Sequence, residues 1–124
     1  MPLVSVVMPV YNREIFVAEA IESILEQTFS DFEFVIVDDG SQDRSPEIIR
    51  QYERRDDRIR FLAFKQNKGK AAAKNFGIEA AQGQYIAGMD SDDVSLPQRL
   101  EKQVEFLRAN PDIGVVGTRA RLTD

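Results

Sequence analysis

Short apolar runs alternate along this chain with segments in which apolar residues recur at helical spacing. The first run, residues 4–8, is rich in valine and stops at Pro9, which is typical of a strand buried on both faces of a sheet. From residue 13 to residue 28, apolar residues recur every three or four positions, which predicts an amphipathic helix. The chain therefore opens with a strand that is followed by a helix.

The same alternation continues to the end of the chain. Further strands are predicted at residues 32–37, 58–64, 85–89 and 113–117. Helices are predicted after the first of these strands, with Ser45 as N-cap, across an alanine-rich segment that ends at Gln82-Gly83, and along a stripe that includes Leu96. This order predicts one α/β domain over residues 1–124, with a Rossmann-like, mainly parallel sheet flanked by helices on both faces.

Composition narrows the chemistry that such a domain can perform. The formal net charge is −5, which argues against the basic face that nucleic-acid binding requires. The chain has no cysteine and no histidine, so thiolate and imidazole metal ligands and histidine acid–base chemistry are excluded. Carboxylates are left as the main chemical groups.

The amino-terminus lacks the features of a targeting segment. Met1-Pro2-Leu3 leads directly into the first strand, without the basic flank and cleavage site of a signal peptide. No apolar run approaches the roughly 20 residues that span a bilayer. We therefore expect a cytoplasmic domain with no transmembrane segment in this chain, and association with the inner face of a membrane is compatible with that expectation.

Polar residues cluster directly after four of the predicted strands. They form the segments Pro9–Asn12, Asp38–Ser41, Asn67–Lys70 and Asp90–Asp93. Ligands of open α/β sheets bind beyond the carboxyl ends of the strands, so these segments are expected to share one binding site. In particular, the loops that carry Asp39 and Asp92 should converge at one rim of the sheet.

The segment Asp90-Ser91-Asp92-Asp93 brings three carboxylates within four residues. A cation reduces their mutual repulsion, and hard oxygen ligands suit Mg²⁺ or Mn²⁺, which share phosphate oxygens with bound nucleotides. The competing interpretation is that one aspartate caps the following helix while the others are solvated. The position at a strand end, beside a second acidic cluster, favours the metal site.

The other clusters each allow two interpretations. One carboxylate of Asp38-Asp39 can face the ligand and accept hydrogen bonds from a base or a ribose, although Asp-Asp-Gly-Ser is also a turn sequence. Lys70, at the start of a helix, can meet phosphate or can be a solvated lysine. No glycine-rich loop follows Pro9, so neither a dinucleotide fingerprint nor a P-loop is present.

Four stretches of the chain carry recognisable motifs in a fixed order. They are Val4–Asn12, Phe34–Ser41, Asn67-x-Gly69 through Asn75-x-Gly77, and Gly83-x-Tyr85-Ile86 leading to Asp90–Asp93 and Pro97. Together they resemble the family 2 glycosyltransferases with the GT-A fold. The resemblance implies a nucleotide-diphospho-sugar transferase fold, in which residues 1–124 form the donor-binding part and the acceptor-binding part is lacking.

The resemblance also implies functions for individual residues. The donor-binding residues would lie at the carboxyl ends of the strands: Pro9, Tyr11, Asn12, Asp39, Lys70, Asp90 and Asp92. Asp39 would bind the base, Asp90 would lie near the ribose, and Asp92, with Asp90 as a second candidate ligand, would hold the Mn²⁺ or Mg²⁺ that bridges the diphosphate. The general base of such enzymes lies beyond the equivalent of Asp124, so no catalytic residue is assigned.

The implied reaction is transfer of a sugar from a nucleoside-diphosphate sugar, most commonly a UDP-sugar, to a hydroxyl of a saccharide, lipid-linked or protein acceptor. Inversion at the sugar is expected, and the product would be a cell-wall or other polysaccharide or a glycoconjugate. A nucleotidyltransferase shares such a metal site but has a glycine-rich first loop, and a receiver-type signalling domain has its acidic pair after the first strand. A non-catalytic nucleotide-binding or interaction module stays open, as does a homo-oligomer formed through an exposed sheet edge.

Overall fold

The computed structural model describes residues 2–110, which form a parallel sheet with helices on both faces. The strands are β1 (Val4–Val10), β2 (Phe32–Asp39), β3 (Ile59–Phe64) and β4 (Tyr85–Gly88). The helices are α1 (Val17–Leu25), α2 (Ser45–Arg55), α3 (Lys70–Ala80) and α4 (Arg99–Ala109). The parallel α/β sheet predicted from the sequence is therefore confirmed, while the strand predicted at 113–117 lies outside the described residues. Among the described residues, no helix combines the length and the apolar character needed to cross a bilayer.

The order of the strands determines where a ligand can bind. Across the sheet the order is β3-β2-β1-β4, and every neighbouring pair is parallel. The chain therefore moves outward from β1 to β3 and then returns to the other side of β1. This reversal opens a crevice at the carboxyl ends of β1 and β4, which is the usual ligand position in such sheets.

Both faces of the central strands are buried, which explains their continuous apolar sequence. Val6 and Met8 of β1 belong to a cluster with buried side chains of α1, α2 and α4. Val7 points to the opposite face and packs with Val35, Val37 and Ala73 beneath α3. Each fully buried side chain of this size contributes about 1.5–3 kcal/mol to folding, so the sheet is a rigid base for the loops at its edge.

The first helix is shorter than the sequence predicts. It begins at Val17 rather than at residue 13: residues 13–16 form a turn in which the N–H groups of Phe16 and Val17 both donate to the Arg13 carbonyl, and the N–H groups of residues 12–14 donate to the side chains of Ser41, Ser45 and Asp43. The prediction of Ser45 as a helix cap is wrong for a related reason. Ser45 is the first residue of α2, its Oγ accepts a hydrogen bond from the Arg13 N–H, and Asp43 accepts from the Ser45 N–H.

The helical stripe predicted to include Leu96 begins later than expected. Leu96 precedes α4 and is 50% exposed, and the helix begins at Arg99. The side chain of Gln27, just beyond α1, donates to the Leu96 carbonyl at 2.7 Å. This contact holds the chain in a non-helical path before α4.

A polar network closes the amino ends of the strands. Ser5 and Arg60 both donate to the carboxylate of Glu33, and the Gln82 N–H donates to it as well. The Gly83 N–H donates to Ser5 Oγ at 2.8 Å. Burial raises the pKa of Glu33, but the hydrogen bonds from Gln82, Ser5 and Arg60 outweigh burial and lower its pKa below the usual 4.5.

Replacing Glu33 with Gln should destabilise the fold in a pH-dependent way. The pKa of Glu33 is lower in the folded chain than in the unfolded chain, so its contribution is complete above about pH 4.5 and is lost as the pH falls through the folded pKa. We expect E33Q to lower the free energy of unfolding by about 1–3 kcal/mol at pH 7, because a buried network loses an acceptor. Urea unfolding at pH 7 and pH 3.5 would measure this, and the difference between the two proteins should shrink at the lower pH.

Glu47→Gln is the matched control, because Glu47 forms an exposed ion pair with Arg44. E47Q should leave unfolding unchanged at both pH values. A difference for E33Q that grows on acidification would contradict the assignment of a lowered pKa to Glu33.

Replacing Gly77 with Ala tests how closely α3 approaches the sheet. A Cβ at Gly77 would lie 2.6 Å from Val7 Cγ1 and 3.2 Å from Val37 Cγ2. Helix propensity alone would make G77A more stable by about 0.5–1 kcal/mol, whereas overpacking costs about 1–3 kcal/mol. We expect net destabilisation in thermal unfolding, with Glu79→Ala on the exposed side of α3 as the control that changes little.

Candidate functional site

A cavity of about 450 Å³ opens at the carboxyl ends of the strands. The residues that line it come from all four strand ends: Pro9, Val10, Tyr11, Arg13, Asp39, Asn67, Gly69, Lys70, Asp90, Ser91 and Asp92. Its volume lies within the range of roughly 300–1,000 Å³ that is usual for small-molecule sites. Asp39 and Asp92 therefore border the same cavity.

The predicted donor-binding residues line this cavity, with the exception of Asn12. Asn12 has a left-handed backbone with φ of 51°. Its N–H donates to Ser41 Oγ at 2.8 Å, and its Oδ1 accepts from the Gln42 N–H at 2.9 Å. Asn12 thus joins the β1–α1 loop to the β2–α2 loop, and its contact with a donor stays a prediction.

Asp39 joins the end of β2 to the loop that precedes α3. Only 2% of the residue is exposed. Its Oδ1 accepts from the Lys68 N–H at 2.7 Å, and its Oδ2 accepts from the Gly69 N–H and the Asn67 amide, both at 3.0 Å. These bonds use three of the about four acceptor positions of an ionised carboxylate, and Asp39 is also one of the residues that line the cavity.

Gly40 allows these two loops to touch. It has φ of 72°, and a Cβ at this position would lie 2.6 Å from the backbone nitrogen of Asn67. A larger residue would therefore meet both a strained backbone and a clash with a group that cannot move freely. The glycine of the predicted turn sequence is required for contact between the loops around Asp39.

Asp38 has a different environment from Asp39. It is also 2% exposed, and its Oδ2 accepts from the Ser41 N–H at 2.9 Å. Burial raises the pKa of Asp38, and the nearby carboxylates of Asp43 and Asp39 raise it further against the hydrogen bonds from Ser41. Asp38 therefore shapes the turn, and of this acidic pair Asp39 is the one that lines the cavity.

The carboxylates of Asp90, Asp92 and Asp93 form a compact group. Each can offer an oxygen that lies within 4.8 Å of the others. Two oxygens on opposite sides of a bound Mg²⁺ are about 4.2 Å apart, so a small movement would bring these groups to bonding distance. The donor set consists of hard oxygens next to a cavity, which fits Mg²⁺ or Mn²⁺.

Cationic groups lie beside these carboxylates. Lys70 Nζ is 2.7 Å from Asp90 Oδ1, and both side chains are well exposed, at 66% and 49%. Lys70 begins α3, whose amino-terminal N–H groups have no side-chain cap among residues 2–110 and whose dipole favours anions. Arg13 is a second cation on the cavity wall. One cavity thus offers carboxylates for a metal ion and positive groups for phosphate.

Sequence reasoning did not identify Arg13 or Asn67 as individual site residues. A single arginine four residues after a proline gives no signal of its own, because its position depends on how the β1–α1 loop is bonded to the next loop. Asn67 belonged to a polar cluster at a strand end, but its contact with Asp39 is visible only in three dimensions.

Comparison with known sequences places these features in a family. The chain matches the family model described as Glycosyl transferase family 2 over residues 5–123. It is 45% identical over 117 residues to an uncharacterized glycosyltransferase of Methanocaldococcus jannaschii, covering 93% of this chain and 40% of that protein. It is 43% identical over 106 residues to Bacillus subtilis TuaG, named provisionally as a teichuronic acid biosynthesis glycosyltransferase, covering 86% of this chain and 42% of that protein. The chain therefore spans less than half the length of these relatives.

Solved structures share the fold. Staphylococcus aureus TarS 1-349 in complex with UDP superposes with a TM-score of 0.81 at 28% identity, covering 88% of this chain and 33% of that one. The mannosyltransferase PcManGT of Pyrobaculum calidifontis, in complex with GDP-Man and Mn²⁺, gives a TM-score of 0.81 at 29% identity, covering 90% of this chain and 34% of that one. The GT-A fold expected from the sequence is confirmed.

The sequence and structure comparisons agree over nearly the whole described chain. The family match includes β1 from Ser5 onward, the other three strands and every residue that lines the cavity. The resemblance noted in the sequence is confirmed, and this chain belongs to glycosyl transferase family 2.

Proposed function

We propose that this chain is the donor-binding part of an inverting glycosyltransferase that uses Mn²⁺ or Mg²⁺ and a nucleoside-diphosphate sugar, most simply a UDP-sugar. The observation that carries the proposal is that one cavity is bordered by Asp39 and by the acidic loop with Asp92. Its lining also includes Lys70 at the start of α3. Asp39 suits a base, the acidic loop suits a cation, and Lys70 suits a diphosphate.

The base is proposed to bind beside Asp39. The remaining acceptor position of its carboxylate suits the imide N–H of uracil, and the N–H groups of guanine offer a similar donor. The ring of Tyr11 is 41% exposed and can cover the face of a base. The structures of TarS with UDP and of PcManGT with GDP-Man support either nucleotide for a chain of this fold.

The diphosphate is proposed to bind between the acidic loop and α3. A divalent ion held by Asp92 and Asp90 would neutralise the charge that develops on the departing nucleoside diphosphate. Lys70 would exchange its ion pair with Asp90 for a phosphate oxygen, and the α3 amino-terminus would add N–H donors. The Mn²⁺ in the PcManGT complex supports the use of a divalent ion by a chain of this fold.

The transfer step proposed is a single displacement. The oxygen of an acceptor hydroxyl forms a bond to the anomeric carbon while the bond from that carbon to the diphosphate oxygen breaks. The electron pair of the broken bond leaves with the nucleoside diphosphate, the hydroxyl proton passes to a general base, and the configuration inverts. Asp90, Asp92 and Asp93 are not assigned as that base, because the resemblance to the family implies a general base beyond the equivalent of Asp124.

The acceptor is proposed to be a saccharide, a lipid-linked sugar or a protein, within polysaccharide or glycoconjugate synthesis. The name of TuaG, a relative at 43% identity, supports a cell-wall polysaccharide. A non-catalytic module that binds the same nucleotide would share the cavity, and measurement of sugar transfer by the whole parent protein separates the two.

Asp92→Ala should remove the metal-dependent part of nucleotide binding. Calorimetric titration with UDP is expected to show tighter binding in Mn²⁺ than in its absence for the original chain. For D92A the gain from Mn²⁺ should fall by about 10-fold or more, since a metal ligand is lost. The affinity measured without metal should change little.

Asp57→Ala is the matched control for this experiment. Asp57 is exposed and lies just before the amino end of β3, so it is at the opposite edge of the sheet from the cavity. D57A should bind UDP and Mn²⁺ as the original chain does. Equal UDP affinity with and without Mn²⁺ in the original chain would contradict a metal-dependent donor site.

Asp39→Asn should weaken the base end of the site instead. The amide nitrogen of the new side chain would face an N–H of Lys68 or Gly69, so the loop would lose an acceptor and the base would lose its partner. We expect UMP binding without metal to weaken by about 10-fold or more in D39N and to persist in D92A. The opposite pattern in the two variants would show that Asp39 and Asp92 do not bind the ends of the nucleotide proposed for them.

A further inference from the structure

The acidic loop, residues 89–94, is followed by a segment that is hydrogen-bonded to residues at the end of α1. Residues 94–98 connect this loop to α4 and lie across that end. The Ser95 N–H donates to Ser23 Oγ at 3.0 Å, and Gln27 accepts from the Leu100 N–H at 3.0 Å while it donates to the Leu96 carbonyl. Ser23 and Gln27 are both buried. The distal end of the loop is therefore fixed to a helix outside the cavity.

Arg99 connects the two ends of the same loop. Its Nη2 donates to the carbonyl of Gly88, the last residue of β4, at 2.6 Å. Its Nη1 donates to Ser95 Oγ at 3.1 Å. Residues 89–94, which include the three acidic residues, lie between these two contacts. The planar guanidinium sets the separation of the loop ends because both donors belong to one rigid group.

Arg99 is unusual because its charged side chain is buried. The residue is 1% exposed, and its Nε has no hydrogen-bond partner among residues 2–110. Burial lowers the pKa of Arg99 to about 10, and the field of Asp93 opposes that effect, so the side chain is charged at neutral pH. Burying a charge costs desolvation free energy, and an apolar residue of similar volume would often pack as well, so packing alone does not explain an arginine here.

We propose that Arg99 is a positioning residue of the cation site: by bonding Gly88 and Ser95, it holds Asp90, Asp92 and Asp93 in the arrangement that binds the metal. This inference rests on the proposed function, which supplies the divalent ion. Arg99 itself touches neither the cation nor the nucleotide.

The sign of the effect distinguishes position from charge. If Arg99 acted only as a positive charge near the carboxylates, its removal would tighten binding of a cation. If it acts by position, its removal loosens the loop and weakens binding even though a repulsive charge has gone. Arg99→Lys keeps the charge but loses the two-pronged contact, so a positioning function predicts weaker binding there too.

The test is titration of Mn²⁺ alone into the 124-residue chain, followed by electron paramagnetic resonance. Arg99→Met should weaken Mn²⁺ binding by about 10-fold or more, the loss seen when groups that orient metal ligands are removed, and R99K should weaken it by a smaller factor. Gln27→Leu, which frees the Leu96 carbonyl, should also weaken it and carries the test if R99M fails to fold. Unchanged or tighter Mn²⁺ binding in these variants would overturn the proposal.

Arg60→Met is the matched control for lost stability. Arg60 also donates to a backbone carbonyl and is partly buried, but it lies in the network at the opposite edge of the sheet. R60M should lower the melting temperature without changing Mn²⁺ affinity. A loss of affinity in R60M equal to that in R99M would mean that general destabilisation explains the effect, and the proposal would be wrong.

A second readout separates this inference from the proposed function. Failure of the original chain to bind Mn²⁺ would refute the metal chemistry. Hydrogen exchange of the amides at residues 89–95 in metal-free protein would then test whether Arg99 positions the loop. Exchange should be faster in R99M than in R60M, and equal exchange in the two variants would refute a positioning function.

Discussion

The cavity depends on the hydrogen bonds that the buried carboxylate of Asp39 accepts from residues 67–69. The carboxyl ends of parallel strands lie at one edge of the sheet, but the loops that follow them stay together only where contacts join them. Asp39 joins β2 to the loop before α3, and this determines where α3 begins and where Lys70 is placed. Gly40 permits the close contact between the turn after β2 and the loop before α3. This one turn therefore provides the carboxylate of Asp39 and also supports the cavity wall formed by the start of α3.

The two edges of the sheet use carboxylates for different purposes. At the amino edge, Glu33 accepts hydrogen bonds from three groups on separate segments and does not line the cavity, so this edge is structural. At the carboxyl edge, Asp39 also accepts three hydrogen bonds but lines the cavity, and Asp90 is paired only through an exposed lysine among the contacts of residues 2–110. Membership of glycosyl transferase family 2 and the likeness to nucleotide-bound structures agree with this division. The same two findings exclude the receiver domain and the nucleotidyltransferase, against which the sequence alone offers only partial arguments.

The sequence predicted the four described strands and their parallel direction, because buried strands between helices leave continuous apolar runs such as Val4–Met8. It also placed Asp39, Lys70, Asp90 and Asp92 at one rim, since topology alone brings strand ends together. It failed where side chains bond to distant backbone. The start of α1, the position of Ser45 and the path of Leu96 all depend on contacts between segments far apart in sequence. Arg99 was missed because a charged residue on an amphipathic helix normally faces solvent.

The backbone N–H groups of residues 12–14 donate to the side chains of Ser41, Ser45 and Asp43. The path of the β1–α1 loop therefore does not depend on the side chain at position 13. Arg13 nevertheless belongs to the cavity wall. A different residue there would change the charge and size of the wall while the loop kept its shape. The charge of the cavity wall can therefore change through a single codon while the hydrogen bonds that hold the loop stay in place.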